Sequence, residues 1–500
     1  MQLMQSRTLR QLIWLLALVS QLWQTDHYFT YSGPDRNLQM LASKAYLESD
    51  AYCIPQLTQE GYECKALSGW PPAFSILISG FYQLTHDWFL AARWFNGIGV
   101  LLVFIAMHFL LLKLDQWLSP WVYPLLFVFW GISFTPFYYT FGIEEWALAS
   151  FLLASIASIA LWQSKEWHWG WWLMLALSIA AGFAMRYAYA PFGVLLLMPI
   201  VMGRLKERPW RFQAALSALG LMTIAIGSFF VLSPTTSDGA SWHELIQTKE
   251  LYLDNILHFD AFPLKAWAFF SLEGLSNKWA LESPTLLWCL KVLLLFLSLG
   301  LMSMLWKLFR SSATRTAFAY IQTSWWASIF GMIFFLTVLS VVVPPEWHDD
   351  QWFWTWVKET RYYAPLLVII QLLTLQFATE RSAQQSPPRP IPQMIMKAFL
   401  VLVFLYAGTH TAYRLFGDGI RGTRWAEGEQ KILQTYEELV SLSKAGKTVY
   451  WREGKLIAEQ DMASIAGLAG AIIIPFGESD FELPSENDHL IIFPKEVSID

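Results

Sequence analysis

The residues best suited to chemistry are a few carboxylates and arginines set against long apolar segments. Asp35 follows Gly33-Pro34 in a polar loop after the first apolar segment, and Glu144 and Glu145 follow Phe137-Tyr138-Tyr139-Thr140-Phe141-Gly142 where another begins. Arg186-Tyr187 sits between two short apolar stretches, and Arg361-Tyr362 follows Lys358-Glu359-Thr360 at the start of a third. Arg93 lies a turn inside the segment opened by Ala91-Ala92, where an internal ion pair is expected. Such a set can move protons through its carboxylates and bind anions through its guanidinium groups. An ionisable group at membrane depth costs roughly 2.5–3.5 kcal/mol, so each one needs a reason. For the glutamates the alternative to a site is a helix cap, because a carboxylate is favoured at a helix N-terminus. Adjacent residues point about 100° apart on a helix, so one of the two is expected to face a site. For Arg186 and Arg361 the alternative is a loop carboxylate or a lipid headgroup.

Other chemistries find less support. His348-Asp349-Asp350 and His243-Glu244 are not spaced like known metal sites, so no cofactor is required and a divalent metal is the disfavoured option. His108 and His410 are expected to be satisfied polar groups between helices. Neither a Gly-x-Ser-x-Gly nor a phosphate-loop nor a His-Glu-x-x-His motif occurs. Cys53 and Cys64 share one loop, where they form a disulfide or stand as two thiols.

The elements that must position these residues follow from composition. With 55% hydrophobic and only 15% charged residues, the chain is expected to be solvated by a bilayer. Its net charge of -5 is divided between two membrane faces, and without a basic block no nucleic-acid partner is expected. Apolar segments of spanning length fall near residues 9 to 24, 89 to 113, 119 to 139, 146 to 163, 168 to 185, 187 to 203, 212 to 232, 285 to 308, 317 to 343, 362 to 379 and 394 to 413. That predicts a mainly α polytopic protein of about eleven transmembrane helices. The first segment follows Arg7 and Arg10 and lacks a small-x-small cleavage site, so it reads as an uncleaved span. A helix over 71 to 86 is expected to lie at the outer interface. Only then do Arg7/Arg10, Lys113, Lys165, Arg204 to Arg211, Lys307 to Arg315 and Arg381 to Lys397 share one side. Long loops near 25–88, 233–284 and 344–361 then face outward, and the Trp-rich runs at 167–172 and 352–356 read as interfacial belts. The transmembrane domain is assigned to 1–413. The tail, 414–500, is expected to be a small extracytoplasmic α/β domain. It has helices over 424–444 and 459–469 and short buried strands at Thr448 to Trp451, Ala471 to Pro475 and Leu490 to Pro494.

The order of these motifs resembles the GT-C superfamily of integral-membrane glycosyltransferases, in the branch of the protein O-mannosyltransferases and the lipid A aminoarabinose transferase. The matching pieces, over about residues 9 to 413, are Gly33-Pro34-Asp35, Trp70-Pro71-Pro72-Ala73-Phe74, Ala91-Ala92-Arg93, Glu144 or Glu145, Arg186-Tyr187 and Glu359-Thr360-Arg361-Tyr362. Arg36 follows Asp35 where family members often carry a second acid, and no strict Asp-x-Asp is present. The resemblance implies a polyprenyl-phosphate sugar donor, a lipid, glycan or protein acceptor, and an inverting, metal-independent transfer on the outer face of the cell's inner membrane. Asp35 would be the general base, Glu144 or Glu145 would orient acceptor or sugar, and Arg186-Tyr187 and Arg361-Tyr362 would hold the donor phosphate. Pro71 and Pro72 would hold the loop against the membrane. The rival readings are a transporter or lipid flippase, and a non-catalytic assembly protein.

Overall fold

The computed structural model describes residues 6–27, 29–31, 33–50, 52–58, 61–66, 73–133, 143–163, 168–186, 283–311, 364–379, 390–416, 423–452, 457–474 and 489–492, with isolated positions between 196 and 329. Among them the protein is mainly helical. The helices are α1 (Arg7–His27), α2 (Pro34–Ser49), α3 (Ala73–Thr85), α4 (Trp88–Leu114), α5 (Val122–Ile132), α6 (Ile143–Gln163), α7 (Trp169–Met185), α8 (Pro284–Ser311), α9 (Ala364–Thr379), α10 (Pro390–Phe416), α11 (Thr423–Lys444) and α12 (Ile457–Leu468). The strands are β1 (Cys53–Thr58), β2 (Gly61–Ala66), β3 (Thr448–Arg452), β4 (Ile472–Ile474) and β5 (His489–Ile492). By length and composition α4 and α6 can cross a membrane. Apart from single positions, the segments expected at 187–203, 212–232 and 317–343 lie outside the described residues, as do the loops at 233–284 and 344–361 apart from Trp267 and residues 283–284.

The chain forms two compact units. The first comprises Met1–Thr25, Ile98–Phe229 and Trp242–Ala412; the second comprises Asp26–Gly97, Phe230–Ser241 and Tyr413–Asp500.

In the first unit α1 inverts the pattern of a helix in water. It buries Arg10, Gln21 and Gln24 and exposes Leu12, Leu15, Leu16, Val19 and Trp23. The buried polar groups bond to neighbouring helices. Trp14 Nε1 donates to the Phe104 carbonyl of α4 at 3.1 Å, and the Arg10 guanidinium lies 2.6 Å from Asp115. Arg10 therefore sits at the C-terminal end of α4, so α1 and α4 run antiparallel. Lys113 reaches the Trp171 ring at 6.0 Å, which brings the start of α7 to that same end.

Of the span expected over 119–139 the structure shows the short helix α5, which stops at Ile132 with Ser133 extended, while residues 134–139 lie outside the described residues. In sequence Pro136 follows Ile132 by four positions, where its ring would meet that carbonyl in a continued helix. At eleven residues α5 is about 16 Å long, roughly half the hydrocarbon thickness. Its last carbonyls would be orphans at that depth, and side chains from other helices take them. Gln21 donates to the Trp130 carbonyl and, at 2.8 Å, to that of Ser133. Ser20 and Gln24 donate to Gly131 at 2.7 and 3.2 Å, and Thr411 of α10 donates to Ile132. A side chain at Gly131 would meet the Ala17 backbone at 3.1 Å, so a small residue lets α1 come this close. Trp130 Nε1 donates to Gln371 of α9 at 2.9 Å, and His108 bonds the Tyr123 hydroxyl at 2.7 Å, as expected of a satisfied interhelical histidine.

The second unit joins the first loop to the tail. The hairpin β1–β2 is antiparallel and packs through Leu57 on Tyr450 and Ile474 of a parallel sheet ordered β4-β3-β5. Parallel neighbours need a crossover, and α12 supplies it between β3 and β4. It packs on α2 where Gly467 admits Leu41. The helices expected over 424–444 and 459–469 and the three tail strands therefore occur within a few residues of their expected bounds. The hairpin at 53–66 was not anticipated. Cys53 and Cys64 form a disulfide across it, with Cα atoms 5.4 Å apart, which decides the alternative left open by spacing.

Closing a loop of about twelve residues stabilises the fold by about 3 kcal/mol in the chain-entropy account. The double change Cys53→Ser/Cys64→Ser is accordingly expected to lower the second unit's stability by about that much. Thermal unfolding of both forms, with mass spectrometry of the alkylated unreduced protein, checks it.

Candidate functional site

The first unit gathers ionisable groups at the start of α6. Ile143 opens the helix, so Glu144 and Glu145 stand in its first turn, where the helix dipole favours negative charge. α6 and α7 are antiparallel neighbours, so the end of α7 arrives beside them. Arg186, the residue that closes α7 in extended conformation, places Nη1 2.6 Å from Glu144 Oε1. Both side chains are inside: 1% of Glu144 and 7% of Arg186 is exposed. Among the described residues the other carboxylate oxygen, Glu144 Oε2, is buried without a hydrogen-bond partner.

One of the two acids is expected to face a site; the structure buries both, Glu144 at Arg186 of α7 and Glu145 against α4. Glu145 packs against α4 at Gly99, where a Cβ would sit 2.9 Å from Glu145 Cβ and 3.0 Å from Trp146 Cδ1. Gly99 therefore sets how closely α4 approaches the acidic turn. Gly99→Ala is expected to destabilise the helix packing by about 1–3 kcal/mol and to weaken any function of the acidic turn. Detergent-phase thermal unfolding against the wild type checks it, and an unchanged midpoint would contradict the close contact.

The second unit carries a separate buried network around the segment that precedes α2. Gly33 caps α2, Pro34 occupies its first position and Asp35 its second. The Asp35 side chain lies outside what the structure describes. Arg36, 2% exposed, turns back on the chain and donates through Nη2 to the carbonyls of Thr30 and Tyr31 at 2.7 and 2.9 Å. Its guanidinium also stands over the Phe29 ring at 4.8 Å. Burial lowers the Arg36 pKa to about 10, opposed by the negative charges of Asp461 and Glu429, so it stays charged at neutral pH. Asp461 of α12 accepts from the Gly33 amide at 2.9 Å and from the Asn37 side chain at 2.7 Å, one oxygen to each. Glu429 of α11 accepts from the Tyr31 amide at 2.5 Å.

Arg93 has the ion pair expected of it, to Asp26, but at 3.8 Å with Asp26 largely exposed. Such a pair contributes little. Its guanidinium also donates to the Tyr31 hydroxyl at 3.2 Å and stands over the Phe29 ring at 5.1 Å.

Of the residues singled out by sequence, Glu144, Glu145 and Arg186 are brought together. Tyr187, Arg361, Tyr362, Pro71 and Pro72 lie outside the described residues, as do His243, Glu244, His348, Asp349 and Asp350. Among the described residues no group of three or more His, Cys, Asp or Glu is gathered to hold a metal. Sequence reasoning overlooked Gly99, Asn37, Glu429 and Asp461. Neither acid left a signal of its own: Asp461 shares α12 with Glu459, and Glu429 stands among the other charges of α11. No protein-family model matches the chain, and no curated protein matches it.

Proposed function

We propose that the chain is a polytopic membrane glycosyltransferase that moves a sugar from a polyprenyl-phosphate donor to an acceptor hydroxyl on the outer face, with inversion and without a metal. The observation that carries this is the buried Glu144–Arg186 pair with its unpartnered carboxylate oxygen, at the end of the first unit opposite Arg10 and Lys113. A guanidinium is a planar fork of donors that suits a phosphate leaving group. The open oxygen suits a hydroxyl of sugar or acceptor. Asp35 is the general base in this scheme, and Arg361 is the second phosphate ligand.

The membrane setting has its own support. The outward leucines of α1, together with exposed Leu293, Phe296 and Leu297 on α8 and Leu402 and Leu405 on α10, are apolar faces of the kind a bilayer covers. At 21 residues α6 is about 30 Å long, enough to carry its acidic turn from one face to the other. Antiparallel α1 and α4 support a topology in which residues 71 to 86 do not cross. With basic Arg10 and Lys113 at one end, the acidic turn falls on the extracytoplasmic side. The same side would take the tail, in a multi-pass protein of about eleven spans in the inner membrane.

The broken helix α5 is the observation that favours a transporter, because transporters line ion sites with unwound carbonyls. Here those carbonyls already accept from Ser20, Gln21, Gln24 and Thr411, which favours the enzyme.

Purified protein incubated with radiolabelled polyprenyl-phosphate sugars and a membrane extract as acceptor source tests the proposal. Label is expected to leave the lipid and survive chelator. Folded protein that turns over none of the donors would overturn the enzymatic reading in favour of transport.

A further inference from the structure

We propose that the C-terminal tail is a positioning device for the segment that carries Asp35, with Asp461 as its principal residue. This rests on the glycosyltransfer reading for its catalytic consequence, but the contact itself is independent of it. Residues 29–31 and Gly33 have no helix or strand to fix them, and Pro34 supplies no amide at the first helical position. A helix start commonly has its exposed amides held by a side chain three residues on, as in a capping box. Gly33 makes no side-chain cap, and that third position is Arg36, a donor that cannot accept. The acceptor comes instead from α12, where Asp461 Oδ2 takes the Gly33 amide and Oδ1 takes Asn37. Two residues upstream Glu429 takes the Tyr31 amide. Arg36 and Asn37 close the loop from inside, both bonding the Tyr31 carbonyl at 2.9 Å.

The clamp is therefore made of two tail carboxylates on two tail helices, one on the Tyr31 amide and one on the Gly33 amide two residues before Asp35. Lys44 adds a third tie between α2 and α12, donating to the Gly467 carbonyl at 2.7 Å. A general base must be held to a fraction of an ångström of its proton, and misplacement by about 1 Å costs about a hundredfold in rate. Tail and loop thus act as one body, and the tail needs no chemistry of its own.

Asp461→Asn tests this, because an amide keeps the shape but turns a donor toward one of two donors. Hydrogen exchange of the full-length protein in detergent is expected to quicken by about tenfold at residues 29–38 while 448–452 and 472–474 stay protected. In the transfer assay kcat is expected to fall about tenfold to a hundredfold with the donor KM within about twofold. Glu429→Ala, acting from the other helix, should give the same pattern should the first variant fold poorly. Unchanged exchange at 29–38, or a loosened segment with undiminished kcat, would overturn the proposal. A wild type inert with every donor but showing the expected exchange change would overturn the glycosyltransfer reading and the catalytic half of this one, leaving the clamp.

Discussion

Replacing Asp35 by Asn is expected to reduce sugar transfer by about 10²–10⁴-fold, the usual contribution of a positioned general base, without loss of expression or donor binding. Asn keeps the size of the side chain and is as acceptable as Asp near a helix start, so the second position of α2 tolerates the change. What is lost is the charge and the ability to take a proton. The loss should appear in kcat, with the donor still bound by its phosphate ligands. Single-turnover transfer from a radiolabelled donor, beside equilibrium binding of that donor, separates the two. Full activity in Asp35→Asn would remove this residue from the role, and loss of donor binding would move it from proton transfer to substrate contact.

How far the sequence reached depended on the range of the forces involved. Helices α1, α4, α6, α7, α9 and α10 follow from apolar runs, because burial and length are local properties of a run. The tail strands β3, β4 and β5 followed for the same reason. The end of α5 was written in Pro136, yet a window of apolar residues passes over one proline. The hairpin β1–β2 was missed because Pro55, Lys65 and two cysteines interrupt any alternation, and the disulfide with Leu57's contacts gives it its order. At the acidic turn the residues were legible and their partnership was not. The i to i+1 spacing of Glu144 and Glu145 could not show that α7 and α4 each take one. Least legible was Asp461, whose partners Gly33 and Asn37 lie more than four hundred residues away in sequence. No periodicity encodes a contact of that range.

The Glu144–Arg186 pair gives the second large effect, and its variants separate function from scaffolding. Arg186→Gln leaves a carboxylate at 1% exposure without the cation that pairs it, and breaking a buried pair from one side costs about 3–5 kcal/mol. Glu144→Gln, which takes this carboxylate charge from the guanidinium, is expected to cost a comparable amount. The double variant Glu144→Gln/Arg186→Gln removes both charges and should recover most of that stability, because two neutral amides of similar size can bond each other and carry far less desolvation cost. If the pair is only scaffolding, activity should return with stability. The proposed role of Arg186 at the donor phosphate instead predicts a stable double variant with weakened donor binding and kcat/KM lowered by about tenfold to a thousandfold. Arg186→Lys keeps the charge and loses the planar fork, so it should fall between the two in donor affinity. Detergent-phase unfolding and donor binding on the four proteins form a double-mutant cycle. Recovery of both quantities together would assign the pair to structure alone, whereas recovery of stability without binding would put the leaving phosphate at the end of α7.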